Sequence, residues 1–406
     1  MSRKKTIKNY LEDIIPKDKF NLINRSFEIV GDIAICEIDE QLIQYEKQIA
    51  EAIMKINSSI KTVLKKQGIH GGEFRTQQLI HIGGENKKQT IYQENGIKLQ
   101  INPETVYFSA RLSTEREQLM NNLKPNKKIL IMFSGAGPYT YVALKKQPNL
   151  LNITSIEINK QGHELAIQSL ELNKNLLKKS NIYKNIIQYL KQNQIPIYEK
   201  IIIKNLNSLK INFINGDVKK EVKKLNLKKY KKQITNFHNQ LLKQQSKDLF
   251  NFFKQFNEQN IFLNLDEKIE KKKLIVFLIL FKELNFICKI NNQNYIFDNN
   301  LLKGYLLNYL ETNNEINKIN LYDEIYMPLP KDAELFLESA FEIANKNCII
   351  HMYDFIHENE FPIKSEKAIK QASIKFNKKI KIIQTRKVGQ YSPRKYRVCC
   401  DFQILD

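Results

Sequence analysis

The sequence contains a glycine loop and two later carboxylates whose spacing suits a nucleotide-type ligand. The loop ends the segment ILIMFSGAGP, residues 129–138, in which Gly135 and Gly137 are separated by one residue. Such glycines let a backbone turn sharply and approach a ligand more closely than a Cβ atom would allow. Glu157 lies about twenty residues beyond the loop, where it could accept hydrogen bonds from ribose hydroxyls. Asp217 lies further along, and its carboxylate could contact an adenine amine.

The segments around these residues alternate in the way that is typical of a parallel α/β sheet. Short apolar runs predict buried strands, and apolar residues at helical spacing predict the helices between them. The predicted strands are 129–132, 153–156, 211–214, 323–327 and 348–353, with a closing antiparallel pair at 379–384 and 396–403. The predicted helices begin at Pro138, which suits a first helical turn, and span 160–173 and 333–345. The loop and both acids therefore follow successive strands, at the edge where open parallel sheets bind ligands.

The order of loop, first acid and second acid favours S-adenosylmethionine over a dinucleotide. The loop lacks the third glycine of the GxGxxG fingerprint, and there is no P-loop lysine. Taken singly, the glycine pair also fits an ordinary tight turn, and Glu157 and Asp217 also fit solvated strand ends. Their combination is what indicates a cofactor site.

The net charge of the chain indicates an anionic partner. The 406 residues include 65 Lys and Arg against 43 Asp and Glu, which gives a formal charge of +22. Nucleic acid is the first candidate for such a partner. The alternative is that lysine, asparagine and isoleucine are simply abundant throughout the chain. The length allows two or three domains.

Other residue types exclude several classes of protein. The five cysteines form no CxxC pair, which favours a reducing compartment, and the six histidines show no metal-ligand spacing, so no metal site is predicted. The N-terminus lacks the apolar core of a signal peptide. The longest apolar run, residues 274–281, is too short to cross a bilayer. We therefore expect a monomeric, cytoplasmic protein without a membrane segment.

The distribution of glycine, charge and periodicity predicts three parts. Residues 1–26 form a basic N-terminal segment, and residues 27–113 form a compact α+β domain with glycine-marked turns. Residues 114–406 form the sheet domain, which an insertion at about 219–318 interrupts. Residues 219–249 of this insertion include ten Lys and two acidic residues, and the composition favours helix.

In eight ordered motifs the chain resembles the tRNA (guanine-N1)-methyltransferases of archaea and eukaryotes, which modify the guanine at tRNA position 37, beside the anticodon. The motifs are GGEFRTQQL (71–79), VYFSARLSTER (106–116), MFSGAGPY (132–139), EIN (157–159), NGDV (215–218), LPKDAELFL (329–337), IIHMYDFIHE (349–358) and RKVGQYSPRKYRVCCDFQI (386–404). The resemblance implies a Rossmann-like class I methyltransferase fold with S-adenosylmethionine as cofactor. It also implies that the tRNA anticodon stem-loop is the partner and that the α+β domain helps to bind it.

The resemblance also assigns catalytic roles. Glu115 matches the family's general base, which removes the guanine N1 proton, and Arg75 matches the arginine that steadies charge on the guanine O6. Guanine N1 keeps its proton at neutral pH, so a base beside it makes the lone pair available for methylation. A cation near O6 stabilises the charge that develops. Without the resemblance, Glu115 also fits a first-turn helix acid and Arg75 a phosphate clamp.

The remaining matches concern cofactor and substrate. The positions that the resemblance places at the cofactor are Phe133, Gly135, Gly137, Glu157, Asp217, Leu329 and Pro330. Those that it places at the base pocket or the tRNA are Tyr107, Arg111 and Arg394. An aromatic ring such as that of Tyr107 can stack on an extruded base.

The chain departs from the family pattern at two residues and in one module. Ile131 stands where relatives carry Asp before the Met-Phe of the loop, and Pro328 stands where they carry the Asn of Asn-Leu-Pro. Only about 26 residues precede the matching region, so we expect the N-terminal module that grips the tRNA elbow in many archaeal members to be missing. Two alternatives stay open: a wyosine-pathway enzyme that transfers the aminocarboxypropyl group of the same cofactor, and a tRNA-binding homologue without catalysis.

Overall fold

The computed structural model describes residues 6–72, 74–192, 210–225, 287–290, 293–296, 321–328 and 332–405. The chain divides into two compact units. The first unit contains residues 1–122, 134–145 and 157–173, and the second unit contains residues 123–133, 146–156 and 174–406.

The first unit is built on a four-stranded sheet. Its strands, in spatial order, are β1 (Phe27–Val30), β2 (Ile33–Cys36), β3 (Thr62–Gly71) and β4 (Thr76–Gly84). The pairs β1–β2 and β3–β4 are antiparallel, while β2 and β3 are parallel. Gly31, with φ 58°, lies in the turn between β1 and β2, as the glycine-marked turns predict.

Two helices contribute to the core of this sheet. They are α1 (Ile7–Leu11) and α2 (Glu46–Ile56). The side chain of Asp39 accepts a hydrogen bond from the Gln41 amide at 3.0 Å, which begins the 3-10 turn leading into α2. The buried apolar cluster contains Ile7, Leu11, Ala34, Ile49, Ala50, Ile53 and Val63. Part of the basic N-terminal segment is thus an integral part of this core.

A β-hairpin and three helices complete the first unit. The hairpin is β5 (Thr90–Glu94) with β6 (Ile97–Ile101), and the helices are α3 (Ser113–Asn121), α4 (Pro138–Lys146) and α5 (Lys160–Asn173). Asn95 and Gly96 have φ values of 48° and 73°, as a two-residue hairpin turn requires. Ser169 and Asn173 of α5 accept hydrogen bonds from the amides of Gln100 and Lys98 at 2.8 and 3.1 Å. The edge of β6 is therefore satisfied by polar side chains of α5.

The second unit contains a seven-stranded sheet in the order β14-β15-β13-β12-β7-β8-β9. The strands are β7 (Lys128–Met132), β8 (Asn152–Glu157), β9 (Ile211–Asn215), β12 (Tyr322–Met327), β13 (Ala344–His357), β14 (Ile380–Ser392) and β15 (Lys395–Ile404). Strand β7 is parallel to β8 and β12, β12 is parallel to β13, and β15 is antiparallel to β13 and β14. The order reverses at β7, the point at which such sheets bind ligands.

The core of the second unit is formed by this sheet and short helices. The helices are α6 (Asn181–Gln192), α7 (Val218–Leu225), α8 (Leu337–Ile343) and α9 (Ile363–Lys375). The buried cluster contains Leu130, Met132, Ile156, Val222, Ile325, Leu337, Ile350, Ile369 and Phe402. The predicted helix at 333–345 is wrong at its end, because α8 stops at Ile343 and Ala344 already pairs with Tyr322 in the sheet.

Most of the predicted insertion, 219–318, lies outside the described residues. The described parts are residues of α7 and an antiparallel hairpin of β10 (Ile287–Ile290) and β11 (Gln293–Ile296). The composition of the insertion favours helix, but these residues form a β-hairpin. The prediction of helix is therefore wrong for this part of the insertion.

A buried ionic network joins four strands of the large sheet. His351 Nδ1 lies 2.7 Å from Asp401 Oδ1, and His351 Nε2 lies 3.6 Å from Glu324 Oε2. Arg386 binds the other oxygen of Asp401. Burial alone would lower the pKa of His351, but the hydrogen bond to Asp401 and the attraction to the carboxylates of Asp401 and Glu324 raise it to about 9. Burial alone would raise the pKa of Asp401, but His351 and Arg386 lower it to about 2.

This network includes three groups of metal-ligand type, two of which are directly hydrogen-bonded to each other. His351, Cys399 and Asp401 have ligand atoms within 4.8 Å of one another. The His351–Asp401 separation of 2.7 Å is that of a direct hydrogen bond. Two ligands at about 2.0–2.1 Å from a tetrahedral zinc ion would lie about 3.3 Å apart.

We expect the free energy of unfolding to fall as pH rises from about 6.5 through about 9, because His351 is more basic in the folded chain than its ordinary value of 6.5. The stabilisation by His351 is complete below about pH 6.5 and lost above about pH 9. It amounts to about 3 kcal/mol, since each pKa unit corresponds to about 1.4 kcal/mol. Urea unfolding of the parent and of His351→Gln at both ends of this range measures it.

The parent must be compared with His351→Gln because Lys128 changes the free energy of unfolding in the opposite direction over this pH range. Burial lowers the pKa of Lys128 to about 8, so its contribution to stability rises with pH. Lys128 is present in both proteins and cancels in the difference. An identical pH dependence in parent and variant would contradict the role of His351.

Candidate active site

The glycine loop has the sharp backbone turns that the sequence predicts. Phe133, which follows β7, has φ 59°, and Gly135 and Gly137 have φ 54° and 82°. Pro138 is the first residue of α4, as predicted. An added Cβ would lie 3.1 Å from the Tyr141 ring at Gly137, but no closer than 3.8 Å to any neighbour at Gly135. Glycine is thus favoured at Gly137 by both space and φ, and at Gly135 by φ alone.

Glu157 lies against the loop, at the C-terminal end of β8. Its two carboxylate oxygens accept hydrogen bonds from the Gly135 amide at 2.6 Å and from the Asn159 amide at 2.8 Å. Burial raises the pKa of Glu157, and these backbone hydrogen bonds act in the opposite direction. Each oxygen has a second lone pair, so the carboxylate could also accept hydrogen bonds from ribose hydroxyls.

Asn159 links this carboxylate to the segment that carries Tyr107. Its side-chain amide donates to the Thr105 carbonyl at 2.7 Å. Val106 is buried, and the Tyr107 carbonyl lies 3.8 Å from the Cβ position of Gly135. Tyr107 itself is 37% exposed. Sequence reasoning assigned no role to Asn159, although it lies within the EIN motif.

The candidate base, Glu115, lies in the first turn of α3 and is only 8% exposed. The positive end of the helix dipole favours a carboxylate there. Arg111 is exposed in the preceding 3-10 turn. The first unit therefore holds Tyr107, Arg111 and Glu115 on one short stretch, next to a loop that Glu157 fixes.

Three predicted site residues other than glycine have left-handed backbone conformations. Arg75, in the turn between β3 and β4, has φ 50°; Arg394, in the turn between β14 and β15, has φ 57°; and Phe133 has φ 59°. Such conformations cost energy in residues with a Cβ atom and cluster at functional sites. The Arg394 carbonyl accepts from the Glu358 amide at 2.8 Å, and its guanidinium lies 3.5 Å from that residue's carboxylate.

Asp217 has a structural function, and its contact with the cofactor stays a prediction. One carboxylate oxygen accepts from the Lys220 amide at 3.1 Å, which makes Asp217 the N-cap of α7. In the same unit, the rings of Phe133 and Phe336 meet edge to face at 4.7 Å, and Lys219 lies 4.9 Å above Phe336. Sequence reasoning had not assigned a role to Phe336.

Two predicted cofactor residues and the two departures from the family pattern remain. Leu329 and Pro330 lie outside the described residues. Pro328 is half-buried at the end of the described segment that contains β12. Ile131 is fully buried in the middle of the sheet, paired with Tyr326 and Ser155 on the neighbouring strands.

Two family models match the sequence. The TYW2 N-terminal domain matches residues 7–87, and the TRM5/TYW2 methyltransferase domain matches residues 90–250. The chain therefore carries TRM5/TYW2 family domains over these two ranges. The family that the eight motifs indicate is confirmed, and S-adenosylmethionine, the cofactor of these class I methyltransferases, is confirmed at the level of the family.

Individual relatives extend over different parts of this TRM5/TYW2 chain. The tRNA (guanine(37)-N(1))-methyltransferase Trm5b of Pyrococcus abyssi is 41% identical over 132 residues, 32% of this chain and 40% of the relative. The match thus spans only two fifths of that relative. Taw22 of Nanoarchaeum equitans, named tRNA (guanine(37)-N(1))/4-demethylwyosine(37)-methyltransferase, is 28% identical over 382 residues, 94% of this chain and 100% of the relative.

The crystal structure of Trm5b from Pyrococcus abyssi has the same fold. It matches with a TM-score of 0.59 and 24% identity, over 100% of this chain and 82% of the other. The predicted class I methyltransferase fold with a smaller N-terminal domain is therefore confirmed. Among the described residues of this TRM5/TYW2 chain, none of the helices is long and apolar enough to span a bilayer.

Gly137→Ala should lower the free energy of unfolding by more than the usual cost of a left-handed alanine, about 1–2 kcal/mol. The added methyl would meet the Tyr141 ring at 3.1 Å. Gly68→Ala is the matched control, because Gly68 has φ 68° with open space around it. Chemical denaturation of both variants measures the difference. Equal destabilisation would show that crowding at Gly137 is unimportant.

Proposed function

We propose that this chain methylates N1 of the guanine at position 37 of tRNA, with S-adenosylmethionine as methyl donor. The observation that carries the proposal is Glu115, a carboxylate held 8% exposed at the start of α3. It follows the segment that packs beside the glycine loop, so a base and a cofactor loop belong to the same unit. The names of the relatives from Pyrococcus abyssi and Nanoarchaeum equitans support the same reaction.

The proposed reaction replaces the proton on guanine N1 with a methyl group. The guanine N1–H bond breaks, and its proton passes to the Glu115 carboxylate. Bound S-adenosylmethionine would supply the methyl group to the N1 lone pair that this proton transfer makes available. The products are 1-methylguanine in the tRNA and S-adenosylhomocysteine. Arg75 is the residue proposed to stabilise negative charge that develops on the guanine O6.

The residues of the loop fit the cofactor. Bound S-adenosylmethionine supplies the electrophilic methyl group. The Glu157 carboxylate, which binds the Gly135 and Asn159 amides, is also a suitable acceptor for ribose hydroxyls. The φ values of Gly135 and Gly137 let the loop backbone lie close to the ligand.

The tRNA is the partner that the charge and the exposed side chains support. A formal charge of +22 favours binding to the phosphate backbone. Tyr107 is exposed beside the glycine loop, and its ring is suited to stack on an extruded guanine. Arg111, also exposed, is suited to hold a phosphate.

A second candidate is transfer of the aminocarboxypropyl group of the same cofactor to a modified guanine. The match of residues 7–87 to the TYW2 N-terminal domain leaves this candidate open. The buried carboxylate of Glu115 argues for methylation, because the alternative substrate has an N1 that is already substituted. A chain that binds tRNA without turnover is the third possibility.

The by-product of the reaction separates these candidates. Incubation of the protein with S-adenosylmethionine and unmodified tRNA should release S-adenosylhomocysteine, detected by mass spectrometry. Methylthioadenosine in its place would show aminocarboxypropyl transfer. If neither by-product forms although tRNA binds, the chain is a tRNA-binding protein without catalysis.

Glu115→Gln should keep the shape of the side chain but remove the base. The single-turnover rate of methyl transfer should fall by about two to four decades, the usual contribution of general base catalysis. Glu117→Gln, on the same helix, is the matched control and should keep the parent rate. An unchanged rate for Glu115→Gln would exclude Glu115 as the base.

A further inference from the structure

The first unit contains an ion pair that is almost completely buried. Side-chain exposure is 2% for Arg116 and 1% for Glu94. Arg116 Nε donates to Glu94 Oε1 at 2.6 Å, and Arg116 Nη2 donates to Glu94 Oε2. Glu94 ends β5, and Arg116 directly follows the candidate base in α3. The pair therefore ties the hairpin to the first turn of that helix.

The same guanidinium also holds the segment that carries Tyr107. Arg116 Nη2 donates to the Ser109 carbonyl at 3.2 Å. The guanidinium carbon lies 5.4 Å from the centre of the Phe108 ring and 5.9 Å from that of Tyr139, in the first turn of α4. One side chain thus contacts the hairpin, the Tyr107 segment and the helix that follows the glycine loop.

A second hydrogen bond fixes the other side of Glu115. The side-chain amide of Asn95 donates to the Ser113 carbonyl at 3.0 Å. Glu94 and Asn95 are consecutive residues. Glu94 binds Arg116, and Asn95 binds Ser113. The candidate base lies between these two anchored positions.

The chemistry of the pair suits positioning better than general stabilisation. A buried ion pair is often no more stabilising than apolar side chains of similar volume. A guanidinium, however, has donors in a rigid fork and can bind two carboxylate oxygens and a carbonyl at once. Lysine has three donors on a single nitrogen but no rigid fork, and methionine has no donor.

We propose that the Arg116–Glu94 pair positions Glu115 and Tyr107 for proton removal and methyl transfer. The proposal rests on the proposed function, since it names the residues that orient the same site. Arg116 is a positioning residue here, because the groups that meet the substrate are Glu115 and Tyr107.

The test separates positioning from stability with an apolar double variant. Glu94→Leu with Arg116→Met replaces the charges by side chains of comparable size, which should preserve folding. The single-turnover rate of methyl transfer should nevertheless fall by about 10- to 100-fold, the cost of a small misplacement of a catalytic group. The Kd for S-adenosylmethionine should stay at the parent value, because the Glu157–Gly135 hydrogen bond is unchanged.

Two further variants complete the design. Arg116→Lys keeps the charge without the fork and should also be slow, which keeps the test valid if the double variant folds poorly. Glu46→Leu with Lys65→Met is the matched control, because it removes a partly buried ion pair at 2.5 Å elsewhere in the first unit. The control should transfer methyl groups at the parent rate. A parent-like rate in the apolar double variant would overturn the proposal.

Amide hydrogen exchange supplies a readout that does not depend on activity. Residues 106–116 should exchange faster in the apolar double variant, while β1–β4 keep parent protection. Unchanged exchange in 106–116 would overturn the anchoring role. If the parent itself makes no methylguanine, the proposed function fails and the catalytic part of the inference with it. The exchange result then decides the anchoring part alone.

Discussion

The arrangement of the first unit depends on the carboxylate of Glu157. Its two oxygens hold the Gly135 amide at 2.6 Å and the Asn159 amide at 2.8 Å. Asn159 then holds the Thr105 carbonyl, and the chain continues from there to Tyr107 and Glu115. One buried acid thus fixes the loop proposed to bind the cofactor and the start of the segment proposed to bind the base. A backbone amide can be held in this way only because the glycine turn presents it.

The sequence predicts the parts of this arrangement that depend on local chemistry. The turn of Gly135 and Gly137, the helix beginning at Pro138 and the helix at 160–173 follow from residue type and periodicity, and the structure confirms them. It does not predict Glu94 with Arg116, or His351 with Asp401, because the partners are 22 and 50 residues apart. Side chains that meet across a sheet or between elements carry no local signal.

Some residues fit more than one role when only the sequence is considered. In the sequence, Asp217 fits either a ligand contact or a solvated strand end. The structure shows that it is the N-cap of α7. Ile131 follows the pattern of a buried strand and is fully buried, so packing alone explains its type. The residue types that fold the sheet and those that bind ligands overlap, and only position in the folded chain separates them.

The most direct test is nucleoside mass spectrometry of two unmodified tRNA transcripts, one with guanine and one with adenine at position 37. Each is incubated with the purified protein and S-adenosylmethionine. The account predicts 1-methylguanosine from the guanine transcript and none from the adenine transcript. No methylated guanosine from either, although tRNA and cofactor bind, would contradict it, as would equal methylation of both transcripts.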